Sequence, residues 1–259
     1  MSFTGKAVYV SDGSRQDITN VMKNKREREC LADLIGIISP YETPLLDAIG
    51  DPLREAKSVH HEWMEDSVRK NNRTQEFTAK VEVSGTDMAA SQLGLADEID
   101  YQKQERLREL LRDLENTVIN GTDKMKGIIP HLESNVFEET EVTEAVLNKT
   151  LRQMWENSSG SVDMIVVGGR QKRKINAFCD NNLYISDFGA CRIICSRWTP
   201  QDTALLLDSS RLNVIPLAGK SFYYKPLASN EDSENGEVVG EYTLELKNEE
   251  SHGIIKGLN

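Results

Sequence analysis

Residues 60–86, HHEWMEDSVRKNNRTQEFTAKVEVSGT, carry strand patterning without enough apolar residues for a core of their own. In the second half Phe77, Ala79, Val81 and Val83 alternate with Thr78, Lys80, Glu82 and Ser84, the period-two pattern of a strand with one apolar face. His61 and Trp63 continue a similar stripe along the first half. Between them NNRTQ (71–75) supplies polar turn chemistry, and the tip of the ribbon carries Arg69, Lys70 and Arg73. An isolated two-stranded ribbon is only marginally stable in water. Its apolar face must therefore rest on another surface, in the same subunit or in a second one.

What flanks the ribbon is equally uneven. Residues 1–30 are polar and mixed in charge, which predicts an extended or partly ordered arm. LADLIGII (31–38) predicts a short helix ended by Pro40, and PLLDAIG (44–50) a second brief turn. Downstream, DEIDYQKQERLRELLRDLENTVING (97–121) reads as one long helix with an acidic start and an Asn120-Gly121 stop. Leu107, Leu110, Leu111, Leu114 and Val118 form its single apolar stripe, while Arg106, Arg108, Glu109, Arg112, Asp113 and Glu115 crowd the other faces. Such a helix would run roughly 36 Å at about 1.5 Å per residue, more strut than core element.

The second half reads as a mixed α/β unit, so the whole chain falls in the α+β class. TEAVLNKTLRQMWENS (143–158) is amphipathic through Val146, Leu147, Leu151, Met154 and Trp155, with Thr143 as its N-cap. DMIVVGG (163–169) predicts a buried strand entering the helix RQKRKINAFCD (170–180). Short strands are expected in LYISDF, CRIICSRW, TALLLD, LNVIPL and SFYYKPL, and strict alternation returns in EVVGEYTLELKN (237–248). GIIKGL (253–258) closes the chain.

Composition narrows the function. A hydrophobic content of 38% and an aromatic content of 6% are lean for 259 residues that bury everything within one subunit. The formal net charge of −11 opposes binding to nucleic acid or anionic membranes. Basic clusters at 23–28, 69–73 and 170–174 read as solvated helix ends and turns or as docking surfaces. The cysteines Cys30, Cys179, Cys191 and Cys195 contain no C-x-x-C pair, and Cys191 and Cys195 share one strand face with Ile193, so no metal site is expected. MSFTGKAVYVSDG (1–13) lacks a charged region followed by an apolar one, and no stretch approaches the roughly 20 apolar residues that span a bilayer, so neither secretion nor a membrane span is expected.

Catalytic motifs are missing as well. IVVGGRQKRK (165–174) passes from strand to helix through two glycines but lacks both nucleotide-binding glycine patterns, which favours a plain tight turn. His60 and His61 point to opposite faces of a strand and cannot chelate together. No serine lies in a G-x-S-x-G elbow. Neither an enzyme nor a cofactor is expected.

Taken in order, ISPYETPLLDAIG, HEWMEDSV, VSGT, LRELLRDLENTVING, DMIVVGGRQKRKINAF, LYISDFG, RWTPQDTALLLD and GEYTLELKNEESHGIIKGL resemble the major capsid proteins of tailed bacteriophages with the Hong Kong 97-type fold. The resemblance runs from about residue 37 to the C-terminus. It implies an N-terminal arm (1–54), an extension loop (55–94), a peripheral domain with a spine helix (95–141, plus a returning strand at about 238–249) and an axial domain (142–237, plus 250–259). It implies further that the extension loop lies across an adjacent subunit, with Trp63, Arg69, Lys70, Arg73, Phe77, Val81 and Val83 as its contact residues. Leu107, Leu110, Leu111, Leu114 and Val118 would pack the spine helix.

The function so implied is assembly into pentamers and hexamers that form an icosahedral virion shell around double-stranded DNA, in the bacterial host cytoplasm. Portal and decoration proteins would be further partners, and no membrane is involved. The arm is short, so a separate scaffolding protein is expected. Lys70 and Lys80 lie where some relatives form crosslinks, but no local motif singles them out. The alternative of the same fold is a nanocompartment shell that encloses protein cargo.

Overall fold

The computed structural model describes residues 29–31, 42–52, 54–65, 68–84, 95–157, 160–179, 181–228 and 233–259. The arm expected before residue 29, and nearly all of the helix expected over 31–38, lie outside these residues. From the N-terminus the helices are α1 (Pro44–Ile49), α2 (Leu95–Asn120), α3 (Ile128–His131), α4 (Glu144–Asn157) and α5 (Gly169–Ile175). The strands are β1 (Glu29–Cys30), β2 (His60–Glu65), β3 (Val68–Arg73), β4 (Gln75–Ser84), β5 (Val136–Glu138), β6 (Met164–Val167), β7 (Leu183–Ser186), β8 (Gly189–Cys195), β9 (Ala204–Leu207), β10 (Leu212–Pro216), β11 (Tyr223–Pro226), β12 (Ser233–Leu246) and β13 (Gly253–Lys256).

Two sheets build the body. In the five-stranded sheet, β12 is the common partner: it pairs antiparallel with β4 over Ser233–Tyr242, with β11 over Gly236–Val239 and with β10 over Tyr242–Leu246. The six-stranded sheet runs in the order β5-β13-β9-β6-β8-β7. Helix α2 buries Leu107, Leu110, Leu111, Leu114 and Val118 in one core with Phe77, Tyr242 and Leu244 of the first sheet and Met164, Val166, Leu205 and Leu207 of the second. Helices α4 and α5 cover the opposite face of the six-stranded sheet, where Leu147, Leu151, Met154 and Ile175 meet Ile165, Val167, Ile193 and Leu206. Strands β6 and β9 are buried on both faces, which is why their sequences are apolar runs rather than alternations.

Local chemistry sets the ends of these elements. Thr143 Oγ1 accepts from the Val146 amide at 3.3 Å at the start of α4. Helix α2 stops where Gly121 takes φ +78, and a Cβ on Gly127 would fall 2.3 Å from the Gly121 nitrogen, so two glycines make this tight exit. On β12, Gly240 leaves room for Phe222, whose ring would meet a Cβ there at 2.4 Å.

The pairing departs from the sequence expectation in three places. NNR (71–73) is not a turn but the end of β3, which pairs with β2 as a hairpin from His60↔Arg73 to Glu65↔Val68. Strand β4 is not the second arm of that ribbon; it crosses to β12 and pairs along ten residues. Residues 212–226, grouped by sequence with the α/β unit, pair with β12 instead, while β5 joins the six-stranded sheet through β13. Alternation reports which face of a strand is buried, not which strand lies beside it.

Candidate assembly surface

The hairpin β2–β3 has an inner face and an outer face, fixed by the two-residue period of its strands. His61, Trp63 and Asn72 point inward; His60, Glu62, Met64, Arg69, Asn71 and Arg73 point outward and are exposed. Trp63 is 7% exposed and stacks on His61 with ring centroids 5.7 Å apart. Met64 and Val68, at 66% and 57% exposed, are the large apolar groups left open on the hairpin. Arg69 reaches Glu62 at 3.2 Å across the two strands.

The contact residues expected from sequence therefore divide. Phe77, Val81 and Val83 are buried on β4, and Phe77 and Val81 belong to the core of their own chain; Trp63 is buried on the inner face of the hairpin, opposite Lys70. The three β4 side chains are thus covered within their own chain, where β4 pairs with β12. Arg69, Lys70 and Arg73 remain exposed on the hairpin. Met64 and Val68 were missed, although Met64 alternates with Trp63 and so had to face the other way.

A second polar junction ties the N-terminal segment to the body. Glu115 on α2, 1% exposed, accepts the Leu45 amide at 3.0 Å and the Leu46 amide at 3.4 Å at the start of α1. Its other oxygen accepts Ser196 Oγ at 2.6 Å, just past β8. Burial pushes the Glu115 carboxyl above the usual carboxylate range, and these hydrogen bonds and the Arg197 charge only partly offset it. Arg112, one turn back on α2, pairs with Glu42 at 2.7 Å.

The glycine pair at 168–169 is not an anion cradle. Gln201 lies over Gly168, and its Oε1 accepts the Arg170 amide at 3.2 Å, so the side chain of the neighbouring loop already occupies the start of α5. Cys191 is buried and donates to the Val162 carbonyl at 3.3 Å, with its thiol pushed up to about 12 by burial. No helix among the described residues is long and apolar enough to cross a membrane.

A two-sheet body braced by one long helix, holding a ribbon by its root with the far side open, is the architecture of a shell-building subunit. The sequence pattern of the SU10 major capsid protein family matches residues 13–70 and 66–259. The chain belongs to that family: it is a tailed-bacteriophage major capsid protein with the Hong Kong 97-type fold.

Solved structures agree on the fold. An encapsulin complex, holo-SrpI from Synechococcus elongatus PCC 7942, superimposes with a TM-score of 0.63 at 12% identity, covering 95% of this chain and 96% of that one. A structure from Mycobacterium phage Cain gives 0.55 at 14% identity, covering 80% and 83%. A virus-like particle from Pyrococcus furiosus gives 0.58 at 13% identity, covering 86% and 96%. At such identities the likeness is one of fold, and it is the family match that selects the phage capsid over the nanocompartment. No curated protein matches the chain in sequence.

Proposed function

We propose that copies of this chain assemble into pentamers and hexamers that close an icosahedral shell around double-stranded DNA, and that the outer face of the β2–β3 hairpin contacts the adjacent subunit. The observation that carries this reading is the hairpin itself: its root is fixed to the body while Met64 and Arg69 on its outer face stay exposed. Heterologous contacts of this kind close into rings, and many weak copies of one contact suffice to hold a shell. On this reading α2 and the five-stranded sheet form the peripheral domain, and the six-stranded sheet with α4 and α5 forms the axial domain. A separate scaffolding protein guides assembly in the host cytoplasm, and a portal completes the particle.

The test is assembly of the full chain with its scaffolding protein, followed by negative-stain microscopy, against the variants Met64→Asp and Arg69→Glu. Both substitutions are on exposed side chains, so melting temperature should stay within a few degrees of the parent. Shells from the parent and only small oligomers from the variants are the expected result. Variants that assemble as well as the parent would overturn the hairpin contact, and particles filled with protein cargo in place of DNA would favour the nanocompartment.

A further inference from the structure

Strand β12 has two chemically different faces. Tyr242, Leu244 and Leu246 face the α2 core. Alternation puts Glu241, Thr243 and Glu245 on the opposite face, where polar side chains normally meet water, yet these are only 6%, 0% and 0% exposed. What covers them is the root of the hairpin together with Lys220, whose Nζ donates to Glu241 at 2.5 Å. Thr74 Oγ1 donates to Glu241 at 2.5 Å, and Thr243 Oγ1 donates to the Arg73 carbonyl at 3.1 Å. Glu245 receives His61 Nε2 at 2.7 Å on one oxygen, and Arg54 and, at 3.3 Å, Lys247 on the other.

The second strand of the hairpin is held just as specifically. Asn72 Nδ2 donates to the Lys126 carbonyl at 2.9 Å and to the Leu244 carbonyl at 3.0 Å, while its Oδ1 accepts the Lys126 amide at 3.0 Å. The ribbon thus sits on a ladder of buried polar groups. Apolar contact is non-directional and would tolerate a range of hairpin angles. Hydrogen bonds weaken steeply with misalignment, so a polar seat selects one angle.

From this geometry we infer that Glu245 is the positioning residue of the extension hairpin. Its carboxylate gathers side chains from the segment before the hairpin, from β2 and from just past β12, and so sets the angle at which the outer face meets an adjacent subunit. Being fully buried, the carboxylate is costly to leave unpartnered, and this cost drives the three side chains onto it. The inference rests on the reading that the outer face makes the inter-subunit contact.

The test uses the full chain with Glu245→Gln, Glu245→Asp and Arg54→Ala, the last on a half-exposed side chain. Amide hydrogen exchange in 60–73 should rise at least about tenfold in E245Q and measurably in R54A, with exchange in α2 and 233–246 unchanged. Shells from E245Q should be fewer and irregular, and E245D should restore most of the parent behaviour. Unchanged exchange in 60–73, or a rise spread evenly through β12 in both E245Q and R54A, would overturn the role. Wild-type protein that builds no shells would overturn the assembly reading beneath it; wild-type shells matched by identical E245Q shells would overturn the positioning role alone.

Discussion

His252 is fully buried just before β13, at the junction between the two sheets. Its Nδ1 accepts the Asp208 amide at 3.2 Å and its Nε2 lies 3.3 Å from the Lys247 carbonyl, so the neutral ring satisfies both neighbours. The charged groups facing it are Asp208, Asp163 and Arg211. Burial dominates, and it holds the imidazole down at about 4 from the ordinary 6.5. The unfolded chain therefore binds a proton that the folded chain refuses between these values. His252 supports the fold in full above about pH 6.5, and that support is lost as pH falls toward 4, at a cost of about 3 kcal/mol. Urea denaturation of the full chain at pH 7, 5.5 and 4.5 should show the decline, and His252→Asn should flatten this contribution. An unaltered pH profile in the variant would show that other groups govern acid lability. No motif in the sequence distinguished this histidine, because its environment is made by segments 44 residues apart.

At the scale of elements, the long helix was the most legible part of the chain. Its stripe from Leu107 to Val118 repeats at helical spacing, and all five residues are buried as the pattern requires. Its stop was legible in Asn120-Gly121, but the second half of that stop was not: Gly127 matters because of where the chain returns, which no local window contains. Gly127→Ala should cost about 2 kcal/mol or more, since the added carbon would meet backbone nitrogen rather than a movable side chain. A thermal melt of the variant that matched the parent would contradict the close approach of the two glycines. The hairpin shows the same limit from another side. Its alternation located Trp63 and Phe77 on buried faces, yet gave no sign that β4 pairs with a strand some 160 residues later. Glu245 was hidden for a related reason: in TLELK it occupies the outward position of a strand, where a carboxylate ordinarily meets water.

Across the whole molecule, charge bears on how the proposed shell would hold DNA. The formal charge is −11 per chain, and much of the basic surface is locally neutralised: Arg106 pairs with Glu109, Arg108 with Glu105, Arg152 with Glu156 and Lys225 with Glu237. In the two basic clusters that the structure describes, Arg69 meets Glu62, and Lys174 lies 3.9 Å from Glu141. Each such pair leaves one cation fewer to displace counterions from phosphate, and at physiological salt exposed charges act over only about 8 Å. We propose that the wall confines DNA by enclosure rather than by adhesion, which leaves the genome free to be filled and released. Purified full-length protein should then fail to shift linear double-stranded DNA in a gel at about 0.15 M salt, where tight binders with many phosphate contacts still hold. Added subunit at micromolar concentration should leave the free DNA band intact, and lowering the salt should recover at most a weak smear. A sharp complex whose affinity falls steeply with salt would mean that a cationic surface forms where the chains meet, and adhesion would replace enclosure as the account of packaging.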